Sequence, residues 1–152
     1  MRVALALIAL LALPSAARAL PAENHWTTEA DPASAAKLEE SVQLIEQEAY
    51  DQALPILEDL AKTQPANADV LNLLGFAHRK TGNLDLSGAY YQRALYLKPD
   101  HLGALEYQGE LFLLQGNIQG AKDNLRRLEI LCAEGCEERE ELDEAIRGWL
   151  AQ

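Results

Sequence analysis

Cysteine occurs twice, histidine three times and methionine once in a chain of 152 residues. Two cysteines cannot build a disulfide-rich scaffold, and three scattered histidines do not complete a dedicated zinc cluster. Positive charge is scarce as well: 13 Lys and Arg stand against 24 Asp and Glu, for a formal net charge of -11. Nucleic acid and anionic lipid both require a positive surface, so neither is an expected partner. The sequence holds no HExxH, no GxSxG, no phosphate loop and no dinucleotide glycine pattern, and no nucleophile with a base and an orienting group can be picked out. Neither an enzymatic activity nor a cofactor nor a metal is expected. With 49% hydrophobic residues the chain can bury one ordinary core, which leaves no room for a multidomain enzyme.

The apolar run from Val3 to Leu13 is 11 residues long, short of the ~20 needed to span a bilayer. It follows Arg2 and leads through Pro14-Ser15 to the small-x-small end Ala17-Arg18-Ala19. This is a secretory signal pattern, with cleavage expected after Ala19 and a periplasmic or secreted location for the mature chain. Removal of Arg2 and Arg18 would leave 11 basic residues against 24 acidic ones, a charge of -13. Residues 20 to 33, with His25 and Trp26, lack helical periodicity and read as a flexible lead-in. Trp26 could dock on the open side of the first repeat or make a contact elsewhere.

A period of 34 organises the rest. Glu48, Gly82 and Gly116 stand 34 apart, as do Ala53, Ser87 and Ala121, then Ser41, Gly75 and Gly109. Leu57, Tyr91 and Leu125, with Leu60, Ala94 and Leu128, add an apolar stripe at helical spacing. Small residues let two helices approach closely, Gly-Asn pairs end the first helix, and Pro65 and Pro99 stop the second. The pattern predicts helices near 34–47, 51–63, 68–81, 84–97, 102–115 and 118–131. In the tail, Leu142, Ala145, Ile146, Trp149 and Leu150 fall on one face of a further helix near 137–151, which would cover the last apolar face of the array. Glu137, Glu138, Glu140 and Glu141 crowd its first turns, where carboxylates suit the helix dipole.

These residues give the chain its family likeness. Residues 34–135 resemble three tetratricopeptide repeats (34–67, 68–101 and 102–135), followed by a capping segment, 136–152. The middle unit matches best, through Leu71, Leu74-Gly75, Gly82, Tyr91, Ala94 and Pro99. The first has Lys37, Glu40 and Ser41 where the pattern prefers an aromatic, Leu and Gly, and the third has Ala133 in place of the closing proline. The expected fold is therefore all-α, a helical-hairpin repeat solenoid of three such units with a C-terminal capping helix.

The resemblance implies an interaction module whose first helices line a concave groove. Its groove places fall on Leu38, Val42 and Ile45, then Asn72, Phe76, Arg79 and Lys80, then Glu106, Glu110 and Leu113. Such a groove, apolar at one end, basic in the middle and acidic at the other, suits a protein or peptide ligand with an acidic group facing Arg79 and Lys80. The Lys/Asn/Arg clamp that some members use for a C-terminal carboxylate is absent, since Leu38, Val42, Leu73, Gly103 and Tyr107 occupy those places. His78 takes a core position and is expected to be packed and hydrogen-bonded, and His101 falls in the turn after Pro99-Asp100.

Cys132 and Cys136 bracket Ala-Glu-Gly before the tail helix. In an oxidising compartment they would pair as a local clip, with Gly135 taking a positive φ. A redox or copper site is the alternative, because Cys136 would start a helix, though the acids that follow oppose a thiolate. The expected function is that of a scaffold or assembly factor outside the cytoplasm. A thiol-redox or copper accessory factor is the first rival, and a self-associating structural protein the second.

Overall fold

In the computed structural model, which describes residues 31–151, seven helices follow one another, six in three antiparallel pairs and a seventh at the end: α1 (Pro32–Glu46), α2 (Tyr50–Thr63), α3 (Ala68–Lys80), α4 (Leu84–Leu97), α5 (Leu102–Leu114), α6 (Ile118–Leu131) and α7 (Glu137–Leu150). No strand occurs among the described residues, and no helix there is long and apolar enough to cross a membrane. The signal pattern of residues 1–19, the cleavage point at Ala19, and His25 and Trp26 lie outside the described residues. Of the segment 20–33 expected as a flexible lead-in, residues 20–30 lie outside the described residues, and its last residues are helical. Asp31 accepts a hydrogen bond from the Ala33 N–H and Pro32 is the first helical residue, so 32 and 33 already belong to α1.

Local chemistry sets the helix ends. The Asn67 side chain accepts from the Asp69 and Val70 N–H groups to start α3. His101, expected only in a turn, starts α5 by accepting the Ala104 N–H at Nδ1. Each first helix of a pair closes in one way. Ala49, Asn83 and Asn117 N–H groups donate back five residues, to the Leu44, His78 and Phe112 carbonyls at 2.8, 2.8 and 2.7 Å. This closure needs a left-handed residue just before, which is Glu48 (φ 58°), Gly82 (φ 83°) or Gly116 (φ 72°).

Glu48 alone pays for a Cβ in that conformation. Glu48→Gly is expected to raise the unfolding free energy by about 1 kcal/mol, read as a higher urea midpoint with an unchanged slope.

Between paired helices the small residues act as the repeat pattern requires. A Cβ on Gly75 would lie 2.6 Å from the Tyr91 ring, and Ser41 is fully buried, its hydroxyl donating to the Lys37 carbonyl at 2.8 Å. One core cluster joins α2 to α3 through Ala53, Leu57, Leu60, Val70 and Leu74. Another joins α5, α6 and α7 through Leu105, Ala121, Leu128, Leu142 and Ile146. Leu71, Ala94 and Ala104 bridge the middle.

α7 packs on both α5 and α6, the place a first helix of a further pair would take. Its Leu142 methyls fill the gap over Gly109. Leu150, expected on the covered face, is 57% exposed, because the neighbouring Trp149 packs against the cluster in its place and the helix ends there. Cys132 and Cys136 are joined in a disulfide, and the tight turn between them runs through Gly135 at φ 109°. Arg139 ties the same joint by donating to the Cys132 carbonyl at 3.1 Å.

Candidate partner-binding groove

The first helices of the pairs, α1, α3 and α5, contact in a row that α7 extends. Their inward residues form one continuous polar and aromatic ridge. Phe76 of α3 lies against Tyr107 of α5 with centroids 4.8 Å apart and meets Tyr50 edge-on at 6.1 Å. The Arg79 guanidinium sits over both Phe76 (5.4 Å) and Tyr107 (5.6 Å), while the Lys80 ammonium lies 5.2 Å from the centroid of the Phe76 ring.

Arg79 is the centre of this arrangement and is only 9% exposed. Its Nη1 lies 2.5 Å from a carboxylate oxygen of Glu110. The acidic group that the sequence expected a ligand to bring to Arg79 is thus already supplied by the chain itself. An arginine and a glutamate at neighbouring groove positions are more easily read as two separate ligand contacts. The spacing alone does not reveal that they face each other across α3 and α5.

The remaining groove positions divide by burial. Lys80 is exposed. Asn72 is buried close to Gly103, its amide nitrogen 3.4 Å from where a Cβ there would stand. Leu113 is buried with the α5–α6–α7 core, and Leu38, Val42 and Ile45 are half-buried on α1.

Glu106 is 3% exposed. Burial, together with the nearby Glu110 and a hydrogen bond and repulsion from Glu141 of α7, pushes its carboxyl up to about 9, against a smaller opposing pull from Arg79. It is therefore protonated at neutral pH. The same burial, with Glu106 and Glu141 close by, pushes the Tyr107 hydroxyl up to about 12.

The folded chain therefore binds a proton at Glu106 that the unfolded chain releases near 4.5. Stability from this group is full below that value and is lost as pH rises toward about 9. Glu106→Gln is expected to flatten the alkaline fall of the urea-unfolding free energy and to stabilise the protein by roughly 2 kcal/mol near pH 8.

At the C-terminal ends of α3, α5 and α7 the row opens into a cavity of about 600 Å³. Its lining combines the charged pair Arg79 and Glu110 with the apolar Leu113, Leu114, Ala145 and Trp149. Leu114 is 62% exposed at its mouth. Leu114 and Trp149 were not among the groove residues read from the sequence. Trp149 covers the array as its face predicts, packing against the α5–α6–α7 cluster, and in doing so lines the same cavity as Leu114.

His78 is buried, as expected, but its Nδ1 has no hydrogen-bond partner. Its ring stacks on Tyr90 at 5.4 Å and 4° instead, and burial lowers its basicity.

A family model described as a tetratricopeptide repeat matches residues 44–104. No curated protein matches the sequence. Among solved structures, the Sgt2 domain of Aspergillus fumigatus superposes with a TM-score of 0.71 at 16% identity, over 80% of this chain and 81% of that one. The first such domain of Spaghetti (RPAP3), bound to the HSP90 peptide SRMEEVD, gives 0.67 at 18%, over 78% and 94%. MamA from Desulfovibrio magneticus gives 0.63 at 22%, over 68% of this chain, which spans 58% of that chain's length. Residues 44–104 thus carry the tetratricopeptide-repeat pattern, and the helical stack around them shares the fold of tetratricopeptide-repeat structures, with a C-x-x-x-C turn before its terminal helix.

Proposed function

We propose that the protein is a scaffold or assembly factor outside the cytoplasm that holds a segment of a partner protein in the concave row, with an apolar side chain seated in the cavity between α3, α5 and α7. The observation that carries this reading is the cavity itself. Leu114 and Trp149 offer an apolar wall, while the fixed Arg79–Glu110 pair offers one donor edge and one acceptor edge for a peptide backbone. The work is recognition, with no reaction performed.

The peptide bound to the Spaghetti domain supports the mode of binding. Its acidic chemistry does not transfer, because the carboxylate-clamp positions here are Leu38, Val42, Leu73, Gly103 and Tyr107. The signal pattern of residues 1–19 supports export. The disulfide supports it too, since such bonds persist in oxidising compartments. Its place at the α6–α7 joint favours a clip over redox use.

A photo-crosslinking residue in place of Leu114 in the full chain tests the groove. A discrete partner adduct that Trp149→Ala abolishes is expected. Equal adducts from a crosslinker at Gln47, outside the cavity, would sink the assignment. The mass of the exported chain tests the location, and a mature form beginning at Leu20 is the expected result.

A further inference from the structure

The outward face of α4 is the converse of the rest of this acidic surface. Leu86, Ala89, Arg93, Tyr96 and Leu97 share one side of the helix by their spacing, and all are exposed, Tyr96 to 86%. No acidic residue occurs from Leu86 to Pro99, although 24 are spread through the chain. The charged side chains of Arg93 and Lys98 have no hydrogen-bond or ion-pair partner among the described residues.

The patch continues onto the end of α6. Arg127 reaches across to donate to the Pro99 carbonyl at 2.5 Å, which holds the two helix ends side by side and leaves the guanidinium charge without a counter-ion there. One repeat on from Tyr96 and Leu97 stand Ile130, 79% exposed, and Leu131. The first unit has Lys62 and Thr63 at these places, so the feature belongs to the second and third units alone. Four large apolar side chains with three uncompensated cations is a patch that a surface of this charge would otherwise not retain.

We propose that this face, on the opposite side of the stack from the groove, is a second docking surface for an acidic amphipathic segment of a partner protein. Carboxylates on that segment would pair with Arg93, Lys98 and Arg127 while its apolar residues cover Tyr96, Leu97 and Ile130. A symmetric dimer through the same face would set Arg93 and Lys98 against their own copies, which like charge disfavours. An anionic membrane would meet the field of a chain carrying -11 overall. The inference is independent of the concave groove, and its test separates the two.

A displayed library of random 16-residue peptides, selected on the full chain, is the probe. Sequences combining Asp or Glu with apolar residues at helical spacing are expected. They should bind at least tenfold more weakly to Tyr96→Ser/Ile130→Ser and to Arg93→Glu, weaken with salt, and bind Leu114→Glu as they bind the unaltered chain. Circular dichroism of the variants checks that these exposed substitutions leave the helices intact. The proposal is overturned if no selected sequence depends on Tyr96 and Arg93, or if those that do are basic or uncharged. It is also overturned if sedimentation shows a dimer that Tyr96→Ser dissolves, which assigns the face to a second copy. Binding to phosphatidylglycerol vesicles that Arg93→Glu abolishes would assign it to a membrane.

Discussion

Replacing Arg79 with alanine is expected to destabilise the protein by roughly 3 to 5 kcal/mol. Its guanidinium is nearly buried, pairs with Glu110, and lies over Phe76 and Tyr107. Removing it leaves the Glu110 carboxylate beside Glu106 with no counter-charge and uncovers two aromatic rings that already touch each other. Arg79→Lys is expected to recover only part of the loss, because an ammonium cannot stack flat on both rings. A double-mutant cycle with Glu110→Ala separates the charge pair from the stacking, and a coupling near zero would show that the pair contributes nothing. Loss of partner capture in an Arg79 variant is consequently ambiguous. Leu114 and Trp149, at the mouth and wall of the cavity, are the better positions at which to test recognition.

Leu142→Ala is expected to cost about 3 to 4 kcal/mol. The side chain is fully buried, and its two methyls occupy the only space that Gly109 leaves open on α5. No backbone shift of α5 can close such a hole without moving Leu105 and Leu128, which pack in the same cluster. Truncation before Leu142 should go further, exposing that cluster and lowering the urea midpoint of the whole array. If the truncated chain unfolded at the midpoint of the intact one, α7 would be an appendage and not part of the stack. Reducing the disulfide should have a smaller effect, about 2 kcal/mol for so short a loop.

Most of the architecture was legible in the chain because it rests on features that recur. The 34-residue spacing of Glu48, Gly82 and Gly116 marks the left-handed closures, and all seven helices start and stop within two residues of the expected places. The errors fall where one residue's role depends on a neighbour outside its own unit. The Asp31 cap lengthens α1 at its start, and the covered face of the tail helix stops at Trp149, leaving Leu150 outside.

The site was legible as a set of positions but not as an arrangement. Phe76, Arg79, Lys80 and Glu110 were marked individually, whereas the ion pair between Arg79 and Glu110, the protonated Glu106 and the joining of Leu114 to Trp149 arise only from the distance between successive first helices. Sequence period fixes which residue faces inward. It does not fix which inward residue of one helix meets which of the next.

The odd number of helices among the described residues sets a length. Four of them, α1, α3, α5 and α7, form the inner row, while only α2, α4 and α6 form the outer one. Neighbouring packed helices are separated by about 8 to 10 Å, so three intervals span roughly 25 to 30 Å along the inner row. An extended strand advances about 3.3 Å per residue. A segment laid across all four helices is accordingly about eight residues long, and a partner peptide trimmed below that length must forgo contact with either α1 or α7.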